Sequence, residues 1–399
     1  MNITGIVAEY NPLHNGHIYH LLQTKKICSS DGIVCVMSGN FVQRGEPALI
    51  DKWNRTKAAI LSGVDLVVEL PCIYSLSSAE FFAFGAVSLL NSLEVVNSLC
   101  FGSESGNIKN IELIAAILNK EPEEYKNFLK DNLKQGLSFP KARMKAIKEF
   151  FLKNLDFSLD ENDMTYSNNV LGIEYCKSLK KLNSTIKPYT VKRKGNLYTD
   201  TKLSDYPSAT AIRNHLKKSN NIDLLKDLVP KSSFSIIKSN VDNITFKDSM
   251  FNFLKYKTYI NKDSLKNLPD VSEGLENKIY NALVNSNSID EALTLMKSKR
   301  YAYTRLTRIL SQYYIGFDCY NTEHLRKLPC PYARILGFNK RGKEILRLMK
   351  SKSKIPLISK VNRIEDEILN LDMQATRAYS LINNSINPLD DYLKKPIIF

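Results

Sequence analysis

Four short apolar runs in the first hundred or so residues, each followed by a stretch with helical spacing, constrain this chain more than any other feature. Ile3 to Ala8, Gly32 to Met37, Asp65 to Leu70 and Val96 to Phe101 read as strands, the third stopped by Pro71. Their apolar character is largely continuous rather than alternating, as in strands buried on both faces of a parallel sheet. Ile18 to Ile27, Asp51 to Leu61 and Glu80 to Leu90 fall between them with helical spacing. This alternation predicts an α/β fold around a parallel, doubly wound sheet with right-handed crossovers. Ligands of such sheets bind beyond the carboxyl ends of the strands.

The end of the first strand carries Asn11-Pro12-Leu13-His14-Asn15-Gly16-His17. A helix start offers unpaired N–H groups and a positive dipole end to an anion, and Gly16 allows close backbone approach. If the turn after Pro12 is helical, His14 and His17 share one face and can donate hydrogen bonds to a triphosphate. An isolated H-x-x-H also fits a pair of surface histidines. A metal site is a third reading, but it needs a further ligand, and none is evident nearby. Position favours the phosphate reading, because three of the five histidines, His14, His17 and His20, crowd the end of this strand.

Beyond the fourth strand, Ile108 to Lys134 and Pro140 to Leu155 are helical and charged, as an insertion would be. The sheet pattern resumes with a helix over Val170 to Leu182 and a fifth strand over Ile186 to Val191, which ends in Lys192-Arg193-Lys194. Tyr206-Pro207-Ser208-Ala209-Thr210-Ala211-Ile212-Arg213 then opens another helix. Its hydroxyls and free N–H groups could face phosphate oxygens, with Arg213 projecting from the first turn; an ordinary N-cap with a surface arginine fits the same residues. From about residue 220 the strand signals fade. Phe246 to Tyr259, Glu273 to Val284, Ile289 to Gly316 and Lys340 to Lys350 have helical spacing. The pattern divides the chain into 1–218, a nucleotide-binding unit with a helical insertion at about 108–165, and 219–399, a basic helical unit.

Charge follows the same division. Residues 1–110 hold 7 Lys and Arg against 9 Asp and Glu, whereas residues 111–399 hold 49 against 32. Either a polyanion partner or a lysine-rich solvated surface fits such an excess. Within Lys297 to Tyr314, basic Lys297, Lys299, Arg300, Arg305 and Arg308 interleave with Tyr301, Tyr303, Tyr313 and Tyr314. That mixture suits RNA backbone and splayed bases, while tyrosines turned inward on a core helix fit it equally. Arg300, Arg305 and Arg308 are the candidate RNA contacts. No run of eighteen apolar residues occurs, and the N-terminus enters a strand at once, so a cytosolic protein without membrane association is expected. The seven cysteines are scattered without a C-x-x-C pair and read as free, mostly buried thiols.

The segment Ala8 to His17 resembles the H-x-G-H signature of the nucleotidyltransferase superfamily. Met37 to Ala48, Val67 to Pro71, Phe101 to Glu104, Asn168 to Tyr175 and Ser208 to Arg213 are similar to the bacterial tRNA(Met) cytidine acetate ligase family, over about the first 215 residues. The resemblance implies that ATP and acetate form acetyl-adenylate, and that the acetyl group passes to N4 of the wobble cytidine, C34, of elongator tRNA(Met). It implies Mg²⁺ held through the phosphates, with no all-protein metal site, and no protein partner. It puts the catalytic histidines at His14 and His17, within an ATP-binding turn Val7-Ala8-Glu9-Tyr10-Asn11-Pro12-Leu13-His14-Asn15-Gly16-His17-Ile18-Tyr19-His20. Further ATP contacts fall on Gly102, Asn168, Arg193, Ser208, Thr210 and Arg213. Asn169 adjoins Asn168, and Arg193-Lys194-Gly195-Asn196-Leu197 departs from the Arg-Ile-Gly-Ala-Gly expected in relatives. Two other readings remain open on the residues alone: transfer of a nucleotidyl group to a small phosphorylated metabolite, and a non-catalytic tRNA-binding protein with a relic pocket.

Overall fold

Strand β1 (Ile3–Ala8) pairs in parallel with β2 (Gly32–Ser38). A short hairpin, β3 (Phe41–Val42) and β4 (Glu46–Pro47), leads away from β2, and β5 (Leu66–Leu70) returns to pair with it in parallel. On the other side of β1 lie β6 (Ser98–Ser103) and then β7 (Lys187–Lys192), both parallel. The order β5-β2-β1-β6-β7 reverses direction at β1, which makes the carboxyl ends of β1 and β6 the topological switch point. The computed structural model describes residues 1–399 except 138, 156–165, 195–206, 220, 299–300 and 362–365, and the side chains of Pro140 and Leu155.

All seven residues of β2 are buried, which accounts for its unbroken apolar sequence. Fully burying each Val or Ile contributes roughly 1.5–3 kcal/mol. The crossovers are α1 (Asn15–Ile27), α2 (Lys52–Leu61) and the pair α3 (Cys72–Ser75) and α4 (Ala79–Ser92). The insertion is three helices, α5 (Ile108–Lys120), α6 (Glu123–Lys134) and α7 (Phe139–Leu155), before α8 (Ser167–Lys181) resumes the alternation. The break after α5 falls at Glu121, which adopts a left-handed φ of 43° before Pro122.

After α9 (Ala209–Lys218) the chain is helical through α10 (Lys231–Ser239), α11 (Phe251–Ile260), α12 (Leu275–Asn285), α13 (Ile289–Met296), α14 (Tyr303–Ile315) and α15 (Thr322–Leu325). The single helix expected over Ile289 to Gly316 is therefore two, α13 and α14. A larger correction concerns the end of the chain, since β8 (Ala333–Phe338) pairs antiparallel with the edge strand β5. Then come α16 (Lys340–Lys352), β9 (Leu357–Ile358), α17 (Glu367–Ser380), α18 (Asp390–Leu393) and β10 (Ile397–Ile398), with β9 and β10 pairing in parallel with β8. The segment expected to be helical thus finishes in the sheet. With six residues between a proline-bearing loop and a strong helix pattern, β8 offers little periodicity to read.

Charge fixes this return. Lys52 Nζ reaches Glu69 at 2.7 and 2.9 Å and Asp391 at 2.9 Å, while Arg334 reaches Asp391 at 2.8 Å and Glu69 at 3.5 Å. All four side chains are at most 5% exposed. Burial alone would raise the Asp391 pKa, but Lys52 and Arg334 bring it down to about 2. All seven cysteines are free, six of them buried. Among the described residues no helix is long and apolar enough to cross a membrane.

Candidate functional site

A cavity of about 430 Å³ opens at the switch point, beyond the ends of β1, β6 and β7. Its first wall is the turn between β1 and α1. Tyr10 takes a left-handed φ of 48°, which turns the chain out of the strand. His14 is the N-cap of α1, and its Nδ1 accepts the Gly16 N–H at 3.1 Å. The His17 Nδ1 in turn accepts the His14 N–H at 3.1 Å. Two imidazoles thus satisfy the orphan N–H groups of the helix start reciprocally, a task usually left to Ser and Glu. The rings stack with centroids 3.8 Å apart. Gly16 is required by this packing, because a Cβ there would lie 2.9 Å from His14 Cε1.

The hydrogen bonds also determine chemistry. With each Nδ1 accepting, a neutral ring carries its proton on Nε2, so His14 and His17 are Nε2–H donors. Protonation is opposed: burial first, then Arg193 and Arg213, push His14 down to about 3. His17 is lowered by burial, His14, Arg193 and His20, and His20 falls to about 4 through burial and Arg193. These are uncharged donors suited to stabilising phosphate oxygens.

Opposite this turn, Arg193 follows β7, its N–H bonded to the Ser103 carbonyl and its Nη1 3.4 Å from Asn168 Oδ1. Asn168 and Asn169 differ in role. Asn168 lines the cavity and donates from Nδ2 to Glu104 at 2.6 Å. Asn169 is wholly buried, its Oδ1 accepting the N–H groups of Glu104 and Ser105 at 2.9 and 3.2 Å. Glu104 closes the clamp at the N-terminus of α8, where a carboxylate suits the helix dipole. Gly102 lines the cavity beside Arg193, and Lys194 sits over the Tyr19 ring at 4.8 Å.

Of the residues expected in the turn, Val7, Ala8, Glu9, Tyr10, Asn11, His14, Gly16, His17, Tyr19 and His20 line the cavity. Pro12, Leu13, Asn15 and Ile18 do not: Leu13 is in the core, Ile18 packs against it, and Asn15 donates to the Asp227 carbonyl at 2.7 Å. Ser208 lines the cavity as the N-cap of α9, accepting the Ala211 N–H at 3.0 Å. Thr210 and Arg213 stand behind it. Arg213 donates to the Asn11 carbonyl at 2.8 Å, lies 3.5 Å from Glu46 and reaches Thr210, so it braces the histidine turn and acts on it through charge. The departure at 195–197 lies outside the described residues.

The basic and aromatic stretch resolves differently from an exposed RNA platform. Tyr301 and Tyr313 are buried, Tyr314 donates to the Ala378 carbonyl, and Tyr303 alone of the four is exposed. Arg305 donates to the Asp270 carbonyl at 2.6 Å and stacks on Tyr301. Arg308 is buried and lines the nucleotide-sized cavity, while Lys299 and Arg300 lie outside the described residues. Sequence reasoning passed over Gln43, Arg44, Phe82, Tyr175 and Thr304, which complete the wall. For Thr304 and Arg308 a signal existed: with Gln312 they form polar positions four apart on one face of a helix that buries Leu306, Ile309, Leu310, Tyr313 and Ile315.

Among the described residues no three His, Cys, Asp or Glu side chains are grouped to hold a metal ion. The family model of the HIGH nucleotidyl transferases matches residues 1–392. The chain is 60% identical to the tRNA(Met) cytidine acetate ligase of Clostridium acetobutylicum and 57% identical to that of Clostridium novyi, in each case over the whole of this chain and 99% or more of the relative. It superposes on the apo crystal structure of Thermotoga maritima TmcAL with a TM-score of 0.91 at 34% identity, both chains covered completely. With the same protein bound to alpha-thio ATP the TM-score is 0.89, over 100% of this chain and 99% of the other. With a histidine-capped helix at the switch-point cavity and relatives matched over the whole chain, this protein belongs to the tRNA(Met) cytidine acetate ligase family of HIGH nucleotidyl transferases.

Proposed function

We infer that this chain is an ATP-dependent ligase that acetylates the wobble cytidine of elongator tRNA(Met) at N4, acting in the cytosol on free acetate. The observation that carries the reading is full-length membership of that family together with two neutral, backbone-fixed histidine donors at the end of β1.

In the first half-reaction an acetate oxygen attacks the α-phosphorus of ATP, and the bond from phosphorus to the bridging oxygen breaks. Pyrophosphate departs with the growing negative charge. His14 and His17 donate from Nε2–H to its oxygens, Arg193 adds a fixed positive charge, and the positive dipole ends of α1 and α9 favour the phosphates. In the second, the cytidine amine attacks the acetyl carbonyl, AMP leaves and N4 loses a proton. Mg²⁺ held through the phosphates would lower their charge. The basic half of the chain supplies the attraction for tRNA, with Arg300 and Arg305 among its candidate contacts. Mass spectrometry of nucleosides from total tRNA tests the reading. N4-acetylcytidine should disappear from elongator tRNA(Met) of cells lacking this protein and return with the gene; an unchanged level would remove the assignment.

A further inference from the structure

The lining of the cavity holds a charge that the proposed phosphate contacts do not use. Helix α14 brings Thr304 and Arg308 to it, against the turn of the β3–β4 hairpin. The approach is backbone to backbone: a Cβ on Gly45 would lie 2.2 Å from the Arg308 amide nitrogen, and Ser311 donates to the Gly45 carbonyl at 2.7 Å. One turn on, Gln312 donates to the Leu76 carbonyl at 2.7 Å, which sets the helix beside the segment leading into α4. Ala79, the first residue of α4, lines the same cavity, and its N-cap Ser78 makes no side-chain capping bond.

Arg308 is 9% exposed, its Nε lacks a hydrogen-bond partner, and its guanidinium makes no hydrogen bond or ion pair with any described residue. The charges around it are Arg44, Arg305 and Arg326, with Asp270 as the opposing acid. Asp270 is already engaged, since both Arg326 terminal nitrogens bind its carboxylate at 3.1 Å. Nearby, Glu80 at the start of α4 pairs with Lys177 at 2.8 Å. Glu9 is the only acidic side chain lining the cavity among the described residues, and its Oε1 takes the Gln43 N–H at 2.7 Å. Burial, reinforced by Arg305, Arg44 and Arg326, lowers the Arg308 pKa to about 10, so it is still charged at neutral pH.

A buried charge is unfavourable until an opposite charge completes it. We propose that Arg308 anchors the carboxylate of acetate in this cavity, at the part of its lining built by α14 and the β3–β4 hairpin. This rests on the ligase reading above. Three features favour a small carboxylate over an RNA phosphate. The guanidinium fork matches two carboxylate oxygens; the cavity is also lined by Ala79, Phe82 and Leu171, which suit a methyl group; and 9% exposure leaves a narrow approach for a hydrated phosphodiester.

The test compares wild type with Arg308→Gln and Arg308→Lys in acetate-dependent ATP–pyrophosphate exchange, ATP binding without acetate, and tRNA(Met) binding. Arg308→Gln should raise the KM for acetate on the order of ten- to a hundredfold, the loss expected for a charge-assisted hydrogen-bonded pair. Arg308→Lys should give a smaller rise, because it keeps the charge and loses the fork. Dissociation constants for ATP and tRNA should stay near wild type. An unchanged acetate KM, or a larger loss of tRNA or ATP affinity than of acetate affinity, would overturn the proposal. If Arg308→Gln fails to fold by circular dichroism, Arg308→Lys carries the comparison. If the wild type shows no acetate-dependent exchange, the ligase reading fails, and the anchor is then judged by NMR titration with carbon-13 acetate. Weaker binding to Arg308→Lys than to wild type supports it, and equal binding refutes it.

Discussion

Two parts of the cavity lining are built from opposite materials. At the histidine turn the donors are neutral, and each imidazole is tied to backbone within three residues of itself. At another part of the lining stands a permanent charge, Arg308, held by contacts with Gly45 and, through Gln312, with Leu76. The first side is local and can be assembled by one turn of chain. The second exists only once residues 303–315 have packed against residues 41–47 and 76–79. That difference predicts different responses to mutation and pH.

The largest effect should come from the charge network that returns the chain to the sheet. Asp391→Asn leaves Lys52 and Arg334 short of a buried partner, and breaking such a cluster costs about 3–5 kcal/mol. Chemical denaturation should show this loss; a change below about 1 kcal/mol, the scale of an exposed pair, would mean that solvent screens the cluster. Next, replacing His14 and His17 together by Ala should slow ATP–pyrophosphate exchange on the order of a hundredfold or more while leaving the KM for acetate near wild type. If acetate KM rises in step, the two sides are not separable.

The histidine side should also carry a pH signature. His14 is held near 3 when folded, against its ordinary 6.5, so below pH 6.5 the unfolded chain binds a proton that the folded chain refuses. Stability therefore falls with pH from about 6.5 toward 3, by up to about 1.4 kcal/mol per unit for this group. His14→Gln should flatten the slope over that window, whereas Arg308→Lys should leave it unchanged. A slope unaffected by His14→Gln would contradict the neutral-donor description. The smallest effect is at Ser208, whose hydroxyl caps α9: Ser208→Ala should cost about 1 kcal/mol, measured by thermal unfolding, with a rise in KM confined to ATP.

The same contrast explains what could be read from sequence. Strands β1, β2, β5 and β6 announce themselves because strands buried on both faces must be apolar throughout, and the histidine turn because its residues are contiguous. Arg193 and Ser208 were accessible as the ends of a strand and the start of a helix. Arg308 was read as one of a basic set with Arg300 and Arg305, since periodicity shows which residues share a face and not what that face meets. β8 escaped because antiparallel pairing with β5 is a long-range event, specified in part by the buried Arg334, Glu69 and Asp391. Thr210 and Arg213 were expected at the phosphates, and the structure puts Arg213 on the Asn11 carbonyl, bracing the turn from behind.

The central claim is that this cavity activates free acetate with ATP. Purified protein, tRNA(Met) and Mg²⁺ are supplied with labelled acetate and ATP, or with labelled acetyl-coenzyme A without ATP, and the tRNA nucleosides are analysed by mass spectrometry. Label should reach N4-acetylcytidine from acetate alone, with one AMP and one pyrophosphate released for each acetyl group transferred. Label arriving from acetyl-coenzyme A without ATP, and not from acetate, would contradict the account.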